Sequence, residues 1–203
     1  MNDRPFIAVI IPAYNEEQAI GKVLGDVPDD VDQVIVVDNA STDETAAVAR
    51  SMGAHIVSES RRGYGQACLS GIAALRSPDI VVFLDGDYSD YPEEMSALIE
   101  PIRSGRADLV IGSRTLGQRE RGALLPQARF GNWLSTRLIS LLFGVHFTDL
   151  GPFRAIGYGA LKRLEMQDRD FGWTVEMQVK AARLGLRSCE VPVRYRKRIG
   201  TSK

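Results

Sequence analysis

The chain has 203 residues, of which 44% are hydrophobic and 25% are charged, and its formal net charge is −1. This length and balance fit one globular domain with its own core, and they exclude a disordered or fibrous protein. Two cysteines and two histidines are too few for a disulfide scaffold or a structural zinc cluster. No apolar stretch approaches the roughly 20 residues that cross a bilayer. We therefore expect a reduced, cytoplasmic protein that is neither exported nor membrane-spanning.

The charges are divided unevenly along the chain. Residues 1–100 contain 18 acidic and 6 basic side chains, whereas residues 101–203 contain 8 acidic and 19 basic ones. An acidic half suits a cation, and a basic half suits an anionic ligand or an anionic surface. The same distribution also fits two solvated surfaces without a ligand, so both interpretations stay open here.

The first hundred residues alternate short Val- and Ile-rich runs with amphipathic stretches, which predicts strands separated by helices. We predict helices that begin after Asn15, after Ser41, near Gly65 and near Pro92, with Glu44 completing a capping box at the second. The predicted strands are 6–11, 33–37, 55–58, 80–84 and 109–111.

This alternation predicts an α/β fold, a mostly parallel central sheet with helices on both faces. In such a sheet, ligands bind beyond the carboxyl ends of the strands. The loops 12–17, 38–43 and 85–90 should therefore converge on one crevice.

After Gly112 the apolar residues recur at helical spacing between Phe130 and Val145, which predicts an amphipathic helix. Its apolar stripe fits either a packed core or a membrane surface. Because Arg129, Arg137 and the basic run 194–198 are also present, we expect residues 129–147 to meet a bilayer surface without entering it deeply. The remaining predicted elements are a strand at 153–156, helices at 158–164 and 173–184, and a strand at 187–195.

Asp85 and Asp87 stand one residue apart where a predicted buried strand ends. Carboxylates in this pattern can bind one divalent cation, which can in turn bind a diphosphate, although Asp-Gly is also common in turns. A calcium loop is excluded because Asp90 occupies the position of the required turn glycine. A dinucleotide-binding glycine loop is excluded because residues 63–68 follow the third strand and lack the last glycine.

Seven motifs follow one another over nearly the whole chain. They are VIIPAYNEE at 9–17, VVDNASTD at 36–43, RGYG at 62–65, DGD at 85–87, IGSR at 111–114, TDLGPFR at 148–154 and GWTVEM at 172–177. Together they resemble the family 2 glycosyltransferases, and within them the polyprenyl (dolichyl) phosphate mannose and glucose synthases. The resemblance implies one GT-A domain over 1–203, with a nucleotide-sugar-binding half at 1–112 and an acceptor half at 113–203.

The resemblance also implies the chemistry, an inverting transfer of a hexose from a UDP- or GDP-sugar with Mg²⁺ or Mn²⁺. The residues that it implies around the donor are Pro12, Tyr14 and Glu16 near the base and ribose, Asp38 at the nucleoside, Arg62 on the nucleotide side, and Asp85 and Asp87 facing the nucleoside and the metal. Two positions depart from the family pattern. Asn39 stands where a second Asp is common, and Ser89 stands where the mannose synthases often have Gln.

The sequence determines the acceptor of the transfer less well than it determines the donor. A polyprenyl phosphate is largely dianionic at neutral pH and needs no general base, and the resemblance implies Arg114 and Arg129 as its clamp, beside a catalytic Asp87. A soluble or protein-bound hydroxyl acceptor would need a carboxylate base, for which Glu176 and Asp170 are the candidates. A non-catalytic sugar-nucleotide-binding domain is the third hypothesis. We expect no nucleic-acid partner, and a peripheral position at the inner membrane face if the stripe binds lipid.

Overall fold

A central sheet organises the part of the chain that the computed structural model describes, residues 4–124 and 126–200. Within these residues the sheet has seven strands in the order β3-β2-β1-β4-β6-β5-β7, and only β6 runs antiparallel to its neighbours. The strands are β1 (Ile7–Ala13), β2 (Gln33–Asp38), β3 (His55–Ser58), β4 (Ile80–Phe83), β5 (Leu109–Ser113), β6 (Arg154–Gly157) and β7 (Ser188–Pro192).

Helices cover both faces of the sheet, because alternate residues of each central strand face opposite sides. Along β1, Ile7, Val9 and Ile11 belong to one buried cluster and Ile10 belongs to the other. The first cluster packs against α1 (Ile20–Gly25), α2 (Thr45–Ser51) and α4 (Met95–Arg103), and the second against α3 (Tyr64–Ala73), α5 (Pro126–Phe143), α6 (Tyr158–Leu164) and α7 (Trp173–Arg183). The predicted α/β fold is therefore confirmed.

The predicted capping box at Ser41 and Glu44 is wrong. Helix α2 begins at Thr45 without a side-chain cap from Glu44, and Ser41 Oγ accepts a hydrogen bond from the backbone N–H of Asn15 instead. The backbone N–H of Thr45 donates to Asp43 Oδ1 over 3.0 Å. The Asp43 carboxylate thus takes the place of the predicted cap. The Ser41 hydroxyl instead joins the loop 38–43 to the loop 12–17.

Several element ends also differ from the prediction, and β1 and β5 each continue two residues further than expected, to Ala13 and Ser113. Helix α1 begins at Ile20, one turn after Asn15, and β7 ends at Pro192 instead of Tyr195. The residues after β7 leave the sheet because Tyr195 pairs with another loop. Its N–H donates to Gln118 O, and its carbonyl accepts from Glu120 N.

The RGYG motif is a docking surface for the 168–170 segment. A Cβ atom on Gly63 would lie 2.1 Å from Arg169 O, and one on Gly65 would lie 2.2 Å from Asp168 O. The N–H groups of Gly65 and Gln66, at the start of α3, donate to carbonyl oxygens of this segment. The motif therefore brings two backbones together and closes the N-terminus of α3 with protein carbonyls.

We expect Gly65→Ala to lower the free energy of unfolding by about 2 kcal/mol, because the methyl group must displace a backbone carbonyl. Gly131→Ala is the matched control, since nothing lies within 4 Å of a Cβ at that helical position. It should leave stability unchanged or raise it by about 0.5–1 kcal/mol. Urea unfolding of both variants measures the difference, and equal stability of the two would contradict the docking role.

Candidate functional site

The three predicted loops meet at the carboxyl edge of the sheet. The first two are joined by the N–H of Asn15 donating to Ser41 Oγ over 3.0 Å and the N–H of Glu16 donating to Thr45 Oγ1 over 2.7 Å. The third lies against the first, because a Cβ on Gly86 would be 3.2 Å from Pro12 O. This edge therefore gathers the acidic motif and the two loops expected around a nucleoside.

Tyr14 and Arg62 form one wall of this edge. The Arg62 guanidinium lies over the Tyr14 ring, with its Cζ atom 4.3 Å from the ring centroid, and it also donates a hydrogen bond to the phenol oxygen. Asp38, at the end of β2, accepts the N–H of Ser41 at Oδ1 over 3.1 Å. Tyr14, Asp38 and Arg62 thus lie on adjoining loops, as the sequence predicts.

Asn39 has a structural role at the position where an Asp is common. Its buried side-chain amide donates to Arg61 O over 2.6 Å and accepts the N–H of Gly63 over 2.9 Å. An aspartate could not make the first of these bonds, because an ionised carboxylate has no donor. The amide therefore fixes the loop that carries Arg62.

Asp85 and Asp87 are held by different partners. Tyr64 donates its hydroxyl to Asp85 Oδ1 over 3.0 Å. Asp87 Oδ1 accepts both the N–H and the hydroxyl of Ser89, over 2.9 and 2.6 Å. Asp87 Oδ2 lies 2.7 Å from Arg198 Nη2. Sequence reasoning missed Tyr64 and Arg198, and the only signals for them were an aromatic residue in the RGYG motif and a distant basic run.

Burial and the neighbouring Asp87 disfavour the ionised form of Asp85. Burial, together with the charge of Asp87, raises the pKa of Asp85 to about 7. A cation already faces this pair, namely the Arg198 guanidinium at Asp87. The pair therefore fits a divalent cation, which would relieve the repulsion. Among the described residues no third His, Cys, Asp or Glu completes a cluster, so further ligands would be ligand oxygens or water.

The basic run after β7 lies against the acidic loop as an ordered strap, residues 194–199. The N–H of Arg196 donates to Ser89 O and the N–H of Ile199 donates to Asp87 O, each over 2.9 Å. Arg194 pairs with Glu93 and Glu94, and Arg198 pairs with Asp87. The Arg194 and Arg198 side chains are thus engaged within the protein, and the attraction of this run to lipid head groups stays a prediction.

Arg114 is committed to a buried ion pair. Its Nε and Nη2 atoms donate to the two oxygens of Asp149 over 2.8 and 2.7 Å, and its backbone N–H donates to the same carboxylate. Burial by itself would lower the pKa of Arg114, but the hydrogen bonds and charge of Asp149 raise it overall. Only 11% of the Arg114 side chain and none of the Asp149 side chain is exposed.

Arg129 lies in a different environment, an open cavity of about 520 Å³ between α5 and the loop after β5. Arg119 and Arg137 line the same cavity, together with Thr115, Leu124, Asn132, Trp133, Thr136, Ser140, His146, Phe147 and Thr148. Within residues 4–124 and 126–200, none of the three arginines has an acidic partner. The cavity is therefore basic, and Arg114 is outside its lining.

Glu176 supports a loop. Its carboxylate accepts the N–H groups of Gln167 and Asp168 over 2.9 and 2.8 Å and pairs with Lys180 over 2.7 Å. Burial opposes ionisation, but these partners lower the pKa of Glu176 overall. Asp170, the other base candidate, is exposed and accepts the N–H of Gly65 at its carbonyl.

Comparison with known proteins identifies the family. Residues 8–164 match the model of glycosyl transferase family 2. This chain belongs to that family. It is 37% identical to a dolichyl-phosphate hexose transferase of Haloferax volcanii and 31% identical to an undecaprenyl-phosphate mannosyltransferase of Micrococcus luteus, with 97% of this chain and 86% of each relative covered.

The solved structures support the same fold. Glucosyl-3-phosphoglycerate synthase from Mycobacterium tuberculosis, in a complex with Mn²⁺, UDP-glucose and phosphoglyceric acid, superposes with a TM-score of 0.79 at 27% identity. The match covers 98% of this chain and 73% of the synthase. The predicted GT-A fold and the resemblance to the polyprenyl phosphate branch are thus confirmed.

Helix α5 of this glycosyltransferase presents its apolar stripe to the surface. Six large apolar side chains are between 41% and 80% exposed: Phe130, Trp133, Leu134, Leu138, Leu141 and Leu142. Thr136 and Ile139 are the buried residues of the described helix. The core interpretation of the stripe is therefore wrong for these six residues. In the described ranges, no helix is long and apolar enough to span a membrane.

We expect Asp149→Asn to lower the free energy of unfolding by about 3 kcal/mol, because it leaves the buried Arg114 charge without a carboxylate. Arg129→Gln should change stability by less than about 0.5 kcal/mol, since the Arg129 guanidinium has no acidic partner to lose. Urea unfolding at constant pH compares the two variants. If they are equally stable, the Arg114–Asp149 pair does not hold this part of the fold.

Proposed function

We propose that this protein is an inverting hexosyltransferase that uses a UDP- or GDP-sugar with Mg²⁺ or Mn²⁺ and glycosylates a polyprenyl phosphate. The observation that carries the choice of acceptor is the basic cavity beside the exposed apolar face of α5. The cavity suits a phosphate and the apolar face suits a lipid chain. The similarity to a dolichyl-phosphate hexose transferase and an undecaprenyl-phosphate mannosyltransferase supports the same choice.

Residues 1–112 form the donor half in this proposal. Pro12, Tyr14, Glu16, Asp38 and Arg62 surround the nucleoside. Asp85 and Asp87 hold the cation, which when bound neutralises the charge that develops on the departing diphosphate. Tyr64 orients Asp85, and Ser89 orients Asp87, so both carboxylates are fixed before the donor binds.

Residues 113–203 form the acceptor half. A phosphate oxygen of the acceptor forms the new bond to the anomeric carbon while the bond from that carbon to the nucleotide diphosphate breaks on the opposite face. The acceptor is already dianionic at neutral pH, so no proton has to move. Arg129, with Arg119 and Arg137, binds the phosphate, whereas Arg114 lies outside the cavity lining and is held by Asp149.

A soluble acceptor that carries a phosphate is the second candidate function, because the basic cavity would bind that phosphate as well. The likeness to glucosyl-3-phosphoglycerate synthase also favours it. A hydroxyl acceptor, however, needs a base, and the Glu176 carboxylate is engaged by Lys180 and two backbone N–H groups. The lipid phosphate needs no base, so it fits these residues without requiring either Glu176 or the exposed Asp170 to take a proton.

The donor assignment predicts that Asp87→Asn abolishes transfer, because it removes a charge that holds the cation. We expect at least a hundredfold loss of rate, against no change for Asp29→Asn, an exposed acidic residue outside the site. The assay supplies UDP- and GDP-hexoses, Mn²⁺ and a polyprenyl phosphate, and proton NMR reads the anomeric configuration of the first product. A wild-type rate in Asp87→Asn, or retention of configuration, would refute the proposal.

The acceptor assignment predicts that substitutions on the apolar face of α5 and in the basic cavity have different effects. Leu138→Glu with Leu142→Glu should reduce co-sedimentation with anionic liposomes and use of a long-chain acceptor, but spare a short, water-soluble prenyl phosphate. Arg129→Ala should raise KM at least tenfold for both acceptors and leave donor affinity unchanged. Arg183→Ala, an exposed arginine outside the cavity, is the charge control. If a phosphorylated hydroxyl acceptor reacts and both prenyl phosphates fail, the second candidate function is correct.

A further inference from the structure

Both oxygens of the Asp87 carboxylate have partners in this structure. Ser89 donates two hydrogen bonds to Oδ1, and the Arg198 guanidinium lies 2.7 Å from Oδ2. Only 5% of the Asp87 side chain is exposed. A divalent cation that binds Oδ2 must therefore lie beside the guanidinium, a like charge, and compete with it for this oxygen.

Besides its backbone hydrogen bonds and the Arg194 ion pairs, the strap that carries Arg198 is anchored by the Arg196 side chain. The guanidinium of Arg196 donates to Tyr88 O over 2.6 Å and to Asp90 O over 3.0 Å, and it lies over the rings of Tyr88 and Tyr91. These contacts leave Asp87 untouched. The strap can therefore stay in place when the Arg198 side chain moves.

Arg198 is held much less firmly. Its side chain is 34% exposed, and Asp87 is its one ion-pair partner in the described part of the chain. Breaking that pair in favour of solvent costs little for the arginine, whereas Asp87 is buried and needs a cation beside it. Arg198 can therefore exchange Asp87 for water at little cost, whereas Asp87 cannot lose Arg198 unless another cation takes its place.

We propose that Arg198 is a built-in counter-ion that competes with the divalent cation for Asp87 and thereby sets the metal affinity of the site. This inference rests on the proposed metal role of Asp87. Before the cation binds, Arg198 compensates the buried charge and keeps the loop in its binding conformation. The cation must compete with it, so the free protein binds metal weakly, and the oxygens of a bound diphosphate are needed for tight binding.

The test is a titration of the full chain with Mn²⁺ in the absence of nucleotide, followed by electron paramagnetic resonance or calorimetry. Arg198→Gln should lower the Kd for Mn²⁺ about tenfold, because the competing cation is gone. Arg198→Lys keeps the positive charge and should stay within about threefold of wild type. Arg194→Gln removes an ion pair from the same strap without touching Asp87 and should leave the Kd unchanged.

Thermal unfolding supplies a second measurement that does not depend on catalysis. Without its counter-ion, Asp87 is uncompensated, so Arg198→Gln should have a lower Tm than wild type and should gain more from added Mn²⁺. An unchanged or higher Kd, or an equal gain in Tm, would overturn the inference. If Asp87→Asn still binds Mn²⁺ like wild type, the proposed metal site itself fails. If Asp87→Asn loses Mn²⁺ while Arg198→Gln matches wild type, only the role of Arg198 fails.

Discussion

The buried ion pair between Arg114 and Asp149 is the constraint on which the second half of the molecule depends. An isolated buried carboxylate would be strongly destabilising, so the Asp149 side chain must have donors on both oxygens. Arg114 supplies three of them, through two guanidinium nitrogens and its own backbone N–H. The pair thereby fixes the end of β5 to the turn before β6, and the antiparallel strand can enter the sheet between two strands that both run the other way.

Because Arg114 is bound to Asp149, it also limits which arginines of residues 101–203 can bind a phosphate. A guanidinium that makes a bidentate contact with Asp149 has few donors left for a ligand. Arg119, Arg129 and Arg137 have no such partner in the described ranges, and they share one cavity. The excess of positive charge after residue 100 therefore divides into arginines that neutralise acidic residues, such as Arg187 with Asp108, and arginines that are available to an anion. Composition alone cannot make that division.

Local pattern predicted the sheet and the convergence of the three loops at one edge, for identifiable physical reasons. Buried parallel strands require runs such as Val34–Val37, and parallel topology forces the loops after β1, β2 and β4 to one edge. Pairings between distant segments could not be predicted, because no spacing rule links Asp87 to Arg198 or Gly65 to the carbonyl of Asp168. The capping box at Ser41 failed for a related reason. The motif was present, but the tertiary contact with Asn15 used the serine hydroxyl.

Exposure of α5 was equally beyond the sequence, since one apolar stripe fits a core and a surface alike. In the structure the apolar stripe faces outward, and other residues of α5 attach the helix to the rest of the fold. The Asn132 side chain on α5 donates to Thr148 O over 3.0 Å and accepts the N–H of Leu150 over 2.7 Å. This one amide therefore binds the residues on both sides of Asp149. Arg129 is one turn before Asn132 on the same helix. Helix α5, which carries Arg129, is therefore joined to the turn whose Asp149 pairs with Arg114. Because α5 buries so few of its own side chains, this amide and Ile139 carry much of its attachment, and the position of Arg129 relative to Arg114 depends on them.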